Sequence, residues 1–392
     1  MAEPTILVLN SGSSSLKFGL FAAPFGDPHP LCVGEVEGIG SEKAHFWIRG
    51  ATGDVLSQQD QKVPDQQAAL GIAVGALAGL PLQAPQAVGH RVVHGGPKVV
   101  EHQEITPEVL KELEDAAIFA PLHVPAALKI ILQAQRLFPH TPQFACLDTA
   151  FHRTLPEAAS RFALPEMFWE AGVRRYGFHG LSCESVLHTL GADVPQRVIV
   201  AHLGSGASIT AIDKGSSVDT TMGLTPAGGI VMSTRTGDLD PGVLLHLLRT
   251  LEGNAAKLES LLDKESGLLG ISGLSNDMRQ LHQAADNPRA QLAIEIFCRS
   301  ATKAVGSLVT ILGGLDLLVF TGGIGENDAK VRERICAGLE PLGVTLDLRA
   351  NQGNVGRISG IESHVRVFVV PSDENAQIAR HVYRLLLRRE GG

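Results

Sequence analysis

The first strongly apolar stretch, Thr5 to Leu9, is short and β-branched. It ends in the small-residue turn Asn10-Ser11-Gly12-Ser13-Ser14-Ser15, after which a second apolar stretch runs from Leu16 to Phe21. Two such runs flanking a glycine-serine turn predict a hairpin. The pattern returns half a chain later as Arg197 to Val200, the turn His202-Leu203-Gly204-Ser205-Gly206-Ala207-Ser208, and Ile209 to Ile212, with Gly12 and Ser14 aligning with Gly206 and Ser208. Recurrence at that distance predicts a duplicated domain, each copy offering one glycine-serine turn to a shared cleft. A third element runs from Leu315 to Phe320 into Thr321-Gly322-Gly323-Ile324-Gly325-Glu326-Asn327 and the polar helix Ala329 to Leu339. A strand ending in a glycine turn that opens a helix serves either nucleotide binding or close helix–strand packing.

Helical periodicity fills the intervals. Thr106 to Ala120 opens with Thr-Pro and Glu108, Pro125 to Leu137 is apolar at helical spacing, and Asp286 to Leu312 is long and amphipathic. Asn375 to Arg389 is a further amphipathic helix, with its basic residues last to suit the helix dipole. Ser41 to Pro85 reads as an exposed strand pair plus a helix. The mixture predicts an α/β fold.

Size makes that fold a two-domain one, since 392 residues exceed what a single core usually spans. Hydrophobic residues at 44% and charged residues at 19% exclude a disordered chain. The formal charge of −8, with no basic block, argues against a nucleic-acid partner. Cys32, Cys146, Cys183, Cys298 and Cys336 are scattered, without zinc or redox spacing, which predicts a reducing, cytoplasmic setting. No cationic leader precedes a long apolar run, and the longest apolar stretches are broken by Gly, Asp or Pro, so no membrane association is expected.

A Gly/Ser turn between strands gathers backbone N–H groups and hydroxyls in one small volume, as phosphate oxygens require. One such turn is equally an ordinary tight hairpin; two of them with a third glycine element point to phosphate. This is no P-loop, because a strand follows the turn where GxxxxGK[ST] opens a helix. Polar residues concentrate in islands: Gly89-His90-Arg91-Val92-Val93-His94-Gly95-Gly96, Pro121 to Pro125, Cys146 to His152, Arg175 to Gly180, Thr225-Pro226 with Thr234 to Asp238, and Asn276 to Arg279. They contain neither a nucleophile-elbow motif nor HExxH.

The ordered set NSGSSSLK (10 to 17), GHRVVHGG (89 to 96), LDTAFH (147 to 152), RYGFHG (175 to 180), ESGLLGISG (265 to 273) and TGGIGEN (321 to 327) resembles the acetate kinase family, end to end. That resemblance implies the actin-like ATPase superfamily: two ribonuclease-H-like domains with the active site in the cleft between them. One is expected at residues 1–149 plus 376–392. The other, at 150–375, is expected to bind nucleotide and carry the dimer contact of a homodimer. The implied reaction is reversible in-line transfer of the ATP γ-phosphoryl group to acetate, giving acetyl phosphate and ADP. Propionate or another short-chain acid is the alternative acceptor.

Such a transfer brings anions together, so the protein must supply positive charge and alignment. By resemblance, Arg91 binds the carboxylate, while Arg235 and His179 stabilise the transferred phosphoryl group and His123 joins the catalytic set. Asp148 matches the family's active-site carboxylate. A carboxylic acid is already ionised near neutral pH, which favours an orienting or Mg²⁺-side role over that of a base. Asn10 and Glu374 match Mg²⁺ positions, where Mn²⁺ can substitute. Lys17, His202-Leu203-Gly204-Ser205-Gly206, Asp277-Met278-Arg279 and Gly323-Ile324-Gly325-Glu326-Asn327 match ATP-binding segments. Val93, Leu122, Phe178 and Pro226 match the pocket for the acid's methyl group. Ser205 stands where the family usually has Asn, Val124 where Asn is usual after His123, and Leu181 and Cys183 where Thr and His are common.

Two other readings use the same residues. A sugar kinase of that superfamily would employ Asp148 as base, and an ATP-driven clamp would need a peptide-binding domain for which no length remains.

Overall fold

The computed structural model describes residues 3–12, 14–24, 27–120, 124–354 and 356–390. The chain divides into two compact units, Met1–Ala150 with Asp373–Gly392, and Phe151–Ser372.

In the first unit, β1 (Thr5–Ser11) and β2 (Ser15–Ala22) are antiparallel, with Asn10 opposite Lys17 and Gly12 N–H donating to the Ser15 carbonyl at 2.8 Å. The meander continues through β3 (His29–Glu37), β4 (Ala44–Gly50) and β5 (Val55–Gln61). On the other side of β1, β6 (Ala87–Val92) and then β8 (Gln143–Leu147) run parallel, and the two-residue β7 (Gln103–Glu104) closes that edge. All of β1 is buried, as expected of a central strand covered on both faces. On one face Leu7, Leu9 and Leu16 pack with Ala69 and Leu70 of the helix Gln66–Ala78 and Ile130 of the helix Val124–Leu137. On the other lies the chain's last helix, Glu374–Glu390. A Cβ on Gly89 would lie 2.6 Å from Val382 and 2.7 Å from Ile378, so only glycine admits that helix so closely.

The second unit repeats the scheme. The antiparallel β9 (Arg197–Leu203), β10 (Ala207–Asp213) and β11 (Ser216–Thr220) are followed by β12 (Leu317–Thr321) and β14 (Arg366–Val369), parallel to β9, with β13 (Gly356–Arg357) at the edge. The strand order β3-β2-β1-β6-β8 thus has the same sequence of directions as β11-β10-β9-β12-β14. The glycine-serine turns β1–β2 and β9–β10 occupy equivalent places in the two sheets.

Caps trim the predicted helices. Thr106 caps a helix that spans Pro107–Asp115 and tightens into a 3-10 turn at Ala116–Phe119. Asn287, accepting from Arg289 N–H and Ala290 N–H, starts the long helix at Pro288. Gly322–Asn327 is itself helical, where the sequence suggested a turn before the helix.

Candidate active site

Arg91 lies near the end of β6, and Asp148 follows β8, the next strand, so neighbouring parallel strands bring guanidinium and carboxylate together. The pairing is bidentate: Arg91 Nε donates to Asp148 Oδ1 at 3.0 Å and Nη2 to Oδ2 at 2.5 Å. Arg91 is partly buried and Asp148 almost completely so. Asn10, at the end of β1, has its Oδ1 3.5 Å from Arg91 Nη1, while its Nδ2 donates to Glu374 Oε2 at 3.1 Å and Asn375 Oδ1 at 3.2 Å. Glu374 opens the last helix, 3.9 Å from Arg91 Nε. Burial works against the Arg91 cation, but Asp148 and Glu374 outweigh it and hold its pKa above the ordinary value. Burial pushes the Asp148 carboxyl up, with Arg91 pulling the other way.

Three oxygen-bearing side chains, Asn10, Asp148 and Glu374, therefore surround one arginine, a donor set suited to a hard cation. Lys17 is exposed on β2, opposite Glu35 in register, and Val93 is buried just past β6. Leu122 and His123 lie outside the described residues, as does Ser13 of the first turn.

In the second unit, His152 is fully buried, its Nε2 2.9 Å from the Phe178 carbonyl and its Nδ1 2.9 Å from Ser217 Oγ. Burial pushes its pKa down to about 4. The neutral ring therefore holds the Gly177-Phe178 turn, where a Cβ on Gly177 (φ +72°) would lie 2.6 Å from it. His179 follows in the left-handed region at φ 58°, an uncommon conformation for a residue with a side chain. Its Nδ1 is 3.0 Å from Ser208 Oγ, and its ring stacks on His202 at 4.1 Å. Ser182 Oγ fixes His202 through Nδ1 at 2.8 Å.

These groups converge on the second glycine-serine turn, closed by Gly204 N–H donating to the Gly206 carbonyl at 3.0 Å. A Cβ on Gly206 would lie 3.2 Å from His179 Nε2 and 3.4 Å from Arg235 Nη1, and one on Gly204 would lie 3.8 Å from His202 Nε2. Arg235 Nη1 also donates to the Pro226 carbonyl at 3.1 Å; Pro226 and Phe178 are buried. The ESGLLGISG motif supports this arginine, because Ser266, Leu268 and Leu269 donate backbone N–H groups to Thr234, Met232 and Ser233.

A cavity of about 500 Å³ adjoins the turn, lined among others by Ser205, Asp277, Arg279, Gly323, Ile324 and Asn327. Gly204 and Met278 line it as well. Arg279 donates to both oxygens of Asp277, whose pKa that bond lowers. Gly325 is buried within its helix, and the Glu326 carboxylate turns back to accept from Gly322 N–H at 2.9 Å and Ser372 N–H at 3.2 Å. Arg332, wholly buried, donates to the Gly325 and Glu326 carbonyls from the other end of the same helix. Ser182, Ser208, Ser233 and Arg332 are supports that site reasoning from sequence missed. Ser208 alone carried a signal, as the partner of Ser14 in the repeated turn.

Residues 5–380 match the model of the Acetokinase family. The chain is 45% identical to an acetate kinase of Rhodopseudomonas palustris, over 97% of this chain and 98% of that protein. It is 43% identical to a propionate kinase of Citrobacter rodentium, over 97% of each chain. The crystal structure of Porphyromonas gingivalis acetate kinase superposes with a TM-score of 0.85 at 40% identity, over 98% of this chain and all of that one.

Proposed function

The chain belongs to the acetokinase family, and from that premise we propose that it is an acetate kinase, catalysing reversible transfer of a phosphoryl group between ATP and acetate. The observation that carries the reading is the pair His179 Nε2 and Arg235 Nη1 over the Gly204–Gly206 turn. Two cationic or hydrogen-bonding groups held together at that turn before substrate arrives support a role in stabilising charge on a transferring phosphoryl group. Arg91, oriented by Asp148, binds the acid's carboxylate. Asp148 has both oxygens committed to Arg91, which supports an orienting role over proton abstraction.

The cavity beside Gly323 and Ile324 receives the nucleotide, with the Asp277–Arg279 pair at its wall. Asn10 and Glu374, with Asp148 nearby, would hold Mg²⁺, which would supply neutralisation of phosphate charge. Phe178 and Pro226 of the second unit and Val93 of the first are buried apolar side chains of the kind the acid's methyl group requires. His123 completes the catalytic set.

A hydroxamate assay tests the reading: acyl phosphate forms with ATP and acetate, and more slowly with propionate, since a methylene is worth roughly 1–3 kcal/mol in such a pocket. ATP turnover indifferent to either acid would refute it.

We further propose a homodimer in the cytoplasm. The helices Pro241–Thr250 and Ala255–Lys264 bury none of their residues, and Leu245 is 53% exposed, which supports a self-association surface on the second unit. Light scattering on the eluted protein should report twice the chain mass, and Leu245→Glu should weaken the dimer.

A further inference from the structure

Ser233 lies two residues before Arg235 and lines the 500 Å³ cavity together with Ser205. Its backbone is fully committed. Its N–H donates to the Ser205 carbonyl at 3.3 Å, and its carbonyl accepts from Leu269 N–H at 3.0 Å. The residue is only 6% exposed, and its hydrogen bonds among the described residues are those of its backbone. That hydroxyl is not among the wholly buried, unpartnered side-chain atoms, and the residue lines the cavity, so the hydroxyl is open to a ligand there. Ser205, joined to it through the backbone, likewise has a hydroxyl without a protein partner among the described residues, but it is exposed.

We propose that Ser233 is a phosphate-binding residue of the nucleotide site, its hydroxyl donating to an oxygen of the donor's β-phosphate alongside Ser205. This rests on the reading of the cavity as the nucleotide pocket. Three observations fix the phosphate end rather than the adenosine end. Ser233 is bonded to the middle residue of the Gly204–Gly206 turn, it is mounted on the same clamped segment as Arg235, and that arginine and His179 both face Gly206. The clamp is tight: a Cβ on Gly267 would lie 2.2 Å from the Met232 carbonyl and 2.8 Å from that of Arg235. The backbone that carries the hydroxyl is therefore held in place before the nucleotide arrives, so only the side-chain rotamer is left to order. The hydroxyl also compensates for the short reach of Ser205, since two hydroxyls on adjoining backbone can share one phosphate that a single longer amide would otherwise meet.

Calorimetric titration of the full-length protein with ADP and with AMP tests this. Ser233→Ala should weaken ADP roughly tenfold, the scale of a lost hydrogen bond to a charged group. It should leave AMP binding and the KM for acetate near wild type. The Ser205→Ala and Ser233→Ala effects should be non-additive in the double variant. Unchanged ADP affinity in Ser233→Ala, or an equal loss for AMP, overturns the assignment.

Gly323→Trp separates that failure from failure of the pocket reading. A Cβ there meets nothing within 4 Å, so the indole fills the cavity. If Gly323→Trp binds ADP as wild type does, the pocket itself is misassigned and the Ser233 proposal falls with it. If it blocks ADP while Ser233→Ala does not weaken it, only the Ser233 proposal falls.

Discussion

Arg91 has its Nε and Nη2 edge committed to Asp148, leaving Nη1 toward Asn10. Removing one member of such a buried pair strands the other's charge, so Arg91→Met should cost about 3–5 kcal/mol in urea denaturation. Combining it with Asp148→Leu should restore much of that stability without restoring turnover. His152 and His90 give a second prediction at this scale, because burial pushes both rings down to about 4. The unfolded chain protonates an imidazole near about 6.5, so between those values it holds more protons and stability falls as pH is lowered. The loss is roughly 3 kcal/mol per ring by pH 4; a melting temperature unchanged between pH 7 and pH 5 would contradict it. The islands that contain Arg91, Asp148 and His179 stood out in the sequence by their composition, while the roles expected of these residues rested on the family resemblance. Ser182 and Ser233 were not legible in it. A serine in a polar stretch gives no pattern, and its importance arises only from which ring or cavity the fold turns it toward.

The helix Gly322–Asn327 is too short to be stable by itself. It is braced at one end by Glu326, which accepts from Gly322 N–H, and at the other by Arg332, which also bonds Asn351 Oδ1 at 2.8 Å. Arg332→Met deletes the second brace and leaves the Gly325 and Glu326 carbonyls unmet. It should lower the melting temperature and weaken ADP binding together, while the KM for acetate stays near wild type. Retained ADP affinity would show that Glu326 suffices. The strand-turn-strand units and the long helices were legible from periodicity and caps. That the glycine run is itself a helix was not, because three glycines within Gly322–Gly325 argue against helix by propensity, and only the tertiary braces reverse that preference.

On the scale of the whole molecule, two units with separate sheets predict two transitions in calorimetry. ADP should raise the one belonging to Phe151–Ser372, in proportion to the logarithm of its concentration. A single transition insensitive to ADP would oppose this. The duplicated sheet order was legible from the repeated turn, whereas the small edge strands β7 and β13 were too short to leave a pattern.

The first unit is discontinuous, since Glu374–Glu390 lies against β1 and β6 with Ile378 and Val382 on Gly89. A chain made from its N-terminus therefore completes the second unit before the first. Until the last helix leaves the ribosome, one face of the first sheet is apolar and uncovered. The unit begun first is finished last, which makes that sheet the part of the nascent chain most open to chaperones and to aggregation.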